Sequence, residues 1–298
     1  MPKIDIVYIL GKGSRWNDNE LRFSLRSIEK NFADAGKIFV VGECPGWLTG
    51  ITHIPAPDKY DNKILNAIVK YTVAASDPRI GKDFVLMNDD IFFIRKTQAH
   101  DIKFFSRGRL REMCDLHPSK GGYYYHSLRD TEKRLDVMGI PNAIDFEVHS
   151  PIIFNKEKLL SVMGMVGTAK AYAMRSCYCN LTNKEPVTVT DFKAANIGEF
   201  AMQGIRSGNR FLSINDALVM DEIFREWMLT QFPRKCRYEI DDCGVKLMPG
   251  RPMAKRKYHA RCEFTYGKNF YHEGDIIKQE DIQAIKNNPM MIANWQCI

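Results

Sequence analysis

Short apolar runs and amphipathic stretches follow one another in a regular order over the first hundred residues of this chain. Ile4 to Leu10 is rich in β-branched residues and predicts a buried strand. It feeds Gly11-Lys-Gly-Ser14, whose glycines permit a tight turn and the close approach of a ligand to the backbone. Leu21, Leu25 and Ile28 then recur at helical spacing and predict a helix from Asn19 to Asn31, capped by Asp18 or Asn17. Strands are predicted at Lys37 to Val41 and near Ile51 to Ile54, and a helix from about Asn62 to Ala75. This β-α-β-β-α-β rhythm predicts an α/β fold with a mostly parallel central sheet layered by helices, in which the turn after the first strand is the usual place for a nucleotide.

The next apolar run is interrupted. Phe84-Val-Leu-Met-Asn-Asp-Asp-Ile-Phe-Phe-Ile94 reads as a strand covered on both faces, apart from Asn88, Asp89 and Asp90. Leaving two acids unpaired in such surroundings costs several kcal/mol, roughly 2–7 per uncompensated polar group. Two resolutions are open: a strand end at which Asp89 and Asp90 meet a divalent cation, or a solvated turn between two strands.

Beyond residue 95 the pattern becomes irregular, with Arg107-Gly-Arg-Leu-Arg111 and Gly121-Gly-Tyr-Tyr-Tyr125 expected in loops over the core. A strand at Phe146 to Phe154, a helix at Lys156 to Met163 and a longer helical stretch near Ala169 to Leu181 follow. Arg210-Phe-Leu-Ser-Ile-Asn-Asp216 repeats the theme of an apolar strand ending in Asn-Asp, with Asp216 or a neighbour expected to cap a helix from about Met220 to Gln231. Residues 246–298 read as a second, small β-rich unit after a main domain of residues 1–245, with turn signals at Pro249-Gly250, Tyr266-Gly-Lys268 and His272-Glu-Gly-Asp275.

Composition narrows the class. A chain of 298 residues, 45% hydrophobic and 27% charged, is an ordinary globular protein rather than a disordered or fibrous one. No run approaches the length of a membrane-spanning helix and the N-terminus lacks a signal-peptide pattern, which predicts a cytoplasmic protein. Eight scattered cysteines are expected to be free thiols. The net charge of +7 favours an anionic partner, and part of it lies in residues 251–268, RPMAKRKYHARCEFTYGK, where Lys and Arg far outnumber the single Glu263.

Several segments, taken in order, resemble the Stealth family of sugar-phosphate transferases. They are Ile4-Asp-Ile-Val-Tyr8, Asn19-Glu-Leu-Arg-Phe-Ser-Leu-Arg-Ser-Ile-Glu-Lys30, Trp47-Leu48, Leu86-Met-Asn-Asp-Asp-Ile91, His149-Ser-Pro151, Arg175-Ser-Cys-Tyr-Cys-Asn180, Phe211-Leu-Ser-Ile-Asn-Asp216 and Phe232-Pro-Arg-Lys-Cys-Arg-Tyr-Glu239. The resemblance implies a GT-A-like fold, a nucleotide sugar as donor and a saccharide or other hydroxyl as acceptor. It also implies Mg²⁺ or Mn²⁺ held by Asp89 and Asp90, with Asn88 and Asn215 beside the donor. Asp216 and His149 are the candidate general bases, and Arg175 the candidate diphosphate clamp. Arg22 and Arg26, four apart on one helical face, are expected to reach one anionic group, and Lys12 a further donor contact. Tyr123 to Tyr125 are candidates for stacking on a sugar or base. The chain departs from the family at Ile9-Leu-Gly-Lys-Gly-Ser14, where glycine and lysine replace the expected acidic or amide positions, so that both sugar-phosphate and plain glycosyl transfer stay open. Two other functions compete: glycosylation of a hydroxymethylated pyrimidine in viral DNA, with the basic, phage-like C-terminal unit on the phosphates, and a non-catalytic binding module on the same fold.

Overall fold

The structure is a computed structural model and describes residues 3–117, 121–205 and 208–240, with short stretches between 258 and 297. Its centre is a five-stranded sheet in the order β3-β2-β1-β4-β9, formed by β1 (Ile4–Leu10), β2 (Ala35–Gly42), β3 (Thr52–Pro55), β4 (Asp83–Met87) and β9 (Ile152–Asn155). All neighbours are parallel except β4 and β9, which run antiparallel with Ile152 opposite Leu86. Between β4 and β9 the chain makes β5 (Ile91–Phe93), β6 (Phe105–Ser106), β7 (Gly108–Arg109) and β8 (Ile144–Asp145), with helices α3 (Leu110–Leu116) and α4 (Tyr123–Val137) between β7 and β8. After β9 come α5 (Lys156–Val166), α6 (Met174–Leu181), β10 (Val187–Thr188), β11 (Lys193–Ala194), α7 (Ile197–Ile205), β12 (Phe211–Ile214), α8 (Asp216–Val219) and α9 (Glu222–Gln231).

Alternation along β1 explains the layering. Ile6, Tyr8 and Leu10 pack with Leu21, Leu25 and Ile28 of α1 (Asn19–Asn31), while Val7 faces the cluster that holds Ile68 of α2 (Lys63–Ser76) and Leu159 and Val162 of α5. The result is an α/β sandwich whose sheet is covered on both faces. Gly42 ends β2 with φ +121°, and a Cβ there would lie 2.0 Å from the Leu10 carbonyl oxygen, so only glycine closes this end of β1 and β2.

The run from Phe84 to Ile94 is two strands in two sheets. β4 belongs to the central sheet, whereas β5 pairs antiparallel with β12 in a three-stranded sheet, β11-β12-β5. The other edge of β5 is satisfied by side chains of α1. Ser24 Oγ donates to the Ile91 carbonyl, Phe93 N–H donates to Ser27 Oγ, and Asn31 Nδ2 donates to the Phe93 carbonyl. Because the Ser24 proton goes to Ile91, the 2.7 Å contact between Tyr8 Oη and Ser24 Oγ is donated by Tyr8, which ties β1 to the same seam.

The opposite flank of α1 carries a buried ion cluster. Arg26 donates from Nε and Nη2 to the two carboxylate oxygens of Glu239 at 2.7 and 2.8 Å, and Arg22 Nη1 donates to Oε2 at 2.7 Å while its guanidinium lies 4.0 Å from the Trp47 ring. All three side chains are at most 3% exposed. Burial alone would raise the Glu239 carboxyl, but Arg26, Arg22 and the Cys236 amide hold it below its ordinary value.

Several expectations need correction. Neither Asp18 nor Asn17 caps α1 through its side chain. Asp18 sits at φ 57°, and Ser14 Oγ instead accepts from the Trp16 and Asp18 amides. The strand predicted over Phe146 to Phe154 is broken, and the stretch from 146 to 151 has no ladder. Tyr123 to Tyr125 open helix α4 rather than a loop, and only Met174 to Leu181 of the stretch from Ala169 is helical.

In the C-terminal unit, β13 (Tyr258–Ala260) pairs with β16 (Trp295–Cys297), and β14 (Phe264–Tyr266) forms a hairpin with β15 (Asn269–Tyr271) across the predicted turn. Tyr271 and Ile277 are buried in the apolar cluster that also holds Trp227 and Phe224 of α9. Pro249-Gly250, the edge helix and most of the basic stretch 251–268 lie outside the described residues.

Glu239→Ala leaves two buried guanidiniums without their carboxylate, so urea denaturation should show a loss of about 3–5 kcal/mol. A loss within about 0.5 kcal/mol, the range of ordinary surface substitutions, would contradict the buried cluster.

Candidate active site

Strand order reverses between β1 and β4, and a cleft of about 850 Å³ opens there outside the carboxyl ends of the parallel strands. This topological switch point is where open α/β sheets bind ligands. The turn after β1 (Gly11 to Arg15) forms one wall and the turn after β4 (Asn88, Asp89, Asp90) another. Asn215 and Asp216 arrive from the end of β12, and Lys193 from β11. Lys12, Asn88, Asp89, Asp90, Asn215 and Asp216 are therefore brought together as the sequence suggests.

The acidic turn concentrates unsatisfied charge. Burial first, then the Asp90 charge and more weakly Glu20 and Asp18, push the Asp89 carboxyl well above the ordinary carboxylate range. Asp90 Oδ2 has Lys193 Nζ at 3.5 Å and Ser213 Oγ at 3.4 Å, but among the described residues Asp90 Oδ1 and Asn88 Oδ1 are buried without a hydrogen-bond donor. Orphaned buried acceptors next to a like-charged pair fit a hard cation, which takes oxygen ligands of this kind. Among the described residues no three His, Cys, Asp or Glu side chains form a ready-made cage. Two carboxylates and an amide could hold a cation there only if its remaining ligands came from elsewhere, such as the phosphates of a bound ligand.

The remaining predicted residues lie elsewhere. Arg22 and Arg26 do not line the cleft; they are committed to Glu239 inside the fold. Asn215 caps the short α8 by accepting from the Leu218 amide, and Asp221 rather than Asp216 caps α9. Asp216 is left largely exposed at the cleft, with Arg15 Nε at 3.9 Å, and Lys12 is exposed with Glu43 at 3.6 Å.

His149 stands just before β9, whose start lies beside the end of β4, so it occupies the same edge of the sheet as Asp89 and Asp90 without lining the cleft itself. Its Nδ1 is 2.8 Å from Asp191 Oδ2 and its backbone amide donates to Asp191 Oδ1. Burial raises the Asp191 carboxyl, but the His149 imidazole and amide and the Arg107 guanidinium outweigh it and bring it down to about 2. Asp191 is therefore ionised at any working pH. Two residues on, Lys193 meets Asp90, so one short segment links the imidazole to the acidic turn.

Arg175 is also not in the cleft. Its Nη1 donates to the carbonyls of Val148 and Ser150, both at 2.7 Å, gripping the backbone on either side of His149. Other α6 residues extend the grip: Ser176 Oγ accepts from the Phe146 amide, and Asn180 bonds both polar backbone atoms of Ile144. The Arg-Ser-x-x-x-Asn pattern is thus the support of an unladdered segment. Tyr123 to Tyr125 do not line the cleft, and Tyr124 Oη accepts from Arg107.

Sequence reasoning missed Glu20, Asp58, Lys70, Asp191 and Lys193. No spacing rule marks them, although Thr190-Asp-Phe-Lys193 places an acid and a base two apart in a β-compatible run.

No family model matches the chain. Over 109 residues it is 31% identical to the N-acetylglucosamine-1-phosphotransferase subunits alpha/beta of Mus musculus, covering 32% of this chain and 9% of that protein. Against the Homo sapiens protein of the same description the identity is again 31% over 109 residues, with 8% of that protein covered. The chain thus spans less than a tenth of these relatives and is distantly similar to part of a sugar-phosphate transferase. Among the described residues, no helix is long and apolar enough to cross a membrane.

The Asp89 shift yields a pH signature for the metal-free protein. The folded state holds a proton that the unfolded state releases near pH 4, so stability should fall as pH rises from about 4 towards the raised value. Denaturation in chelator across this window should show that slope in the wild type and a flatter one in Asp89→Asn; equal slopes would contradict the burial of this carboxyl.

Proposed function

We propose that this chain is a nucleotide-sugar-dependent transferase of the Stealth type on a GT-A-like fold, moving a sugar phosphate from the donor to an acceptor hydroxyl. The observation that carries the reading is the pair of buried, unpaired acceptors Asn88 Oδ1 and Asp90 Oδ1 beside Asp89, at the switch point of the sheet. The similarity to part of N-acetylglucosamine-1-phosphotransferase favours sugar-phosphate over plain glycosyl transfer.

Asp89, Asp90 and Asn88 would hold Mg²⁺ or Mn²⁺, which when bound neutralises the donor diphosphate and polarises its oxygens. Lys193 and Lys12 add ammonium charge along the same cleft. The acceptor oxygen forms a bond to the phosphorus that carries the sugar, the bridge between the two phosphates breaks, and nucleoside monophosphate leaves. His149 takes the hydroxyl proton: a carboxylate at Nδ1 selects the tautomer with N–H there and leaves Nε2 as the base. Asp216, exposed at the cleft, contacts the acceptor. Arg175 acts by holding the His149 segment rather than by touching phosphate. Residues 246–298 form the acceptor-recruiting unit, with saccharide and DNA distinguished by which acceptor gains mass.

Asp89→Ala and Asp90→Ala should each lower turnover by about a hundredfold or more, several kcal/mol of lost charge stabilisation, while the proteins stay folded by circular dichroism. Titration calorimetry with Mn²⁺ should show the matching loss of affinity. Near-normal, metal-stimulated turnover in both variants would remove the reading.

Arg175→Ala and Arg175→Lys should both lower kcat with little change in donor KM, because the group positions a base rather than binding donor. A selective rise in donor KM would restore Arg175 as a diphosphate clamp.

A further inference from the structure

One wall of the cleft is built from the connection between β3 and α2, where Asp58, Tyr60 and Asp61 line it. Tyr60 is an unusual lining residue. It is a large aromatic left 51% exposed at a cleft whose other walls are largely charged or polar, and its backbone is fixed from three directions. Asn66, buried in α2, accepts from the Lys59 and Tyr60 amides at 3.0 Å each and donates to the Tyr60 carbonyl at 2.6 Å. Just after Tyr60, Asn62 accepts from the Ile64 and Leu65 amides and starts α2. Just before it, Asp58 is held by Lys70 Nζ at 2.5 Å. A buried amide that spends three of its four hydrogen-bonding positions on a short loop stretch fixes the place of a ring that itself stays in solvent. The ring is thereby presented at the cleft, where a flat ligand group can stack on it.

We infer that the Tyr60 ring is the stacking platform for the nucleobase of the donor, with Asn66 as the clasp that positions it. The inference rests on the transferase reading above and adds the subsite for the donor's base. Tyr60 lines the same cleft of about 850 Å³ as Asp89 and Asp90. The connection that carries it is tied to the turn after β1, where Asp58 Oδ2 accepts from the Lys12 amide at 3.4 Å. One ligand in that cleft can thus set its diphosphate at the acids and its base at Tyr60. The Gly11 to Ser14 turn lines the same cleft, and among the described residues no atom lies within 4 Å of the place that a Cβ of Gly13 would take. Ala67, next to the clasp on α2, also lines the cleft and offers an apolar contact, while Asp58, Asp61 and Lys63 offer charged groups to the base edge.

The test compares wild type, Tyr60→Ala and Tyr60→Phe by calorimetric titration in Mn²⁺, with UDP, GDP, CDP and ADP and with inorganic pyrophosphate, which has phosphates and no base. Tyr60→Ala should weaken the tightest nucleoside diphosphate about tenfold or more, the range of a lost base–aromatic stack. Tyr60→Phe should stay close to wild type, and pyrophosphate should bind all three proteins equally. The exposed ring makes Tyr60→Ala safe for folding, and an unchanged Tm confirms it. If wild type binds a nucleoside diphosphate and Tyr60→Ala binds it as well, or weakens pyrophosphate to the same degree, the stacking role falls while the transferase reading stands. A raised acceptor KM with unchanged nucleotide affinity overturns it in favour of a sugar contact. If wild type binds none of the four diphosphates, the transferase reading falls and this inference with it.

Discussion

The edge of β5 is the constraint on which the rest of the site depends. A three-residue strand that has left the central sheet needs partners on both sides, and β12 supplies only one of them. The hydroxyls of Ser24 and Ser27 and the amide of Asn31, on one face of α1, supply the other. A helix acting as a substitute strand explains why α1 is almost wholly buried although many of its residues are polar. It also fixes where β4 ends and β5 begins. The three residues between them belong to neither ladder, and these are Asn88, Asp89 and Asp90.

That placement carries an energetic conflict. Two adjacent carboxylates at the floor of a cleft repel each other, and burial raises the cost of ionising Asp89 further. The fold answers with Lys193, whose ammonium lies 3.5 Å from Asp90, and among the described residues leaves two acceptor oxygens without a donor. Conflicts of this kind persist where the rest of the structure over-determines them, and they cluster at functional sites. The surroundings do over-determine this one: α1 is locked through Glu239 on one flank and through β5 on the other, and α6 holds the His149 segment by side-chain contacts to backbone.

The parallel part of the fold was legible because its signals are local. β1 to β3, α1 and α2 follow from apolar runs, helical spacing and turn residues, with boundaries within about two residues. The acidic turn stood out because a charge inside an apolar run has few explanations. What the sequence hid was pairing at long range. Arg22 and Arg26 look like an anion-binding face until Glu239, more than two hundred residues away, is seen between them. Arg175 looks like a clamp until its carbonyl partners around His149 are visible. Asp191 carries no local mark at all. Tyr123 to Tyr125 drew notice as a cluster, whereas the single Tyr60 acquires meaning only from the Asn66 clasp.

The central claim is that the cleft brings a donor diphosphate and an acceptor hydroxyl together over the Asn88-Asp89-Asp90 turn. The nucleotide released from a panel of UDP-, GDP-, CMP- and TDP-sugars, separated by ion-exchange chromatography with Mn²⁺ or with chelator, tests it most directly. Sugar-phosphate transfer predicts that one diphosphate donor yields nucleoside monophosphate in a metal-dependent reaction. Release of nucleoside diphosphate would show that the glycosyl bond breaks instead, and release from no donor at all would contradict the account.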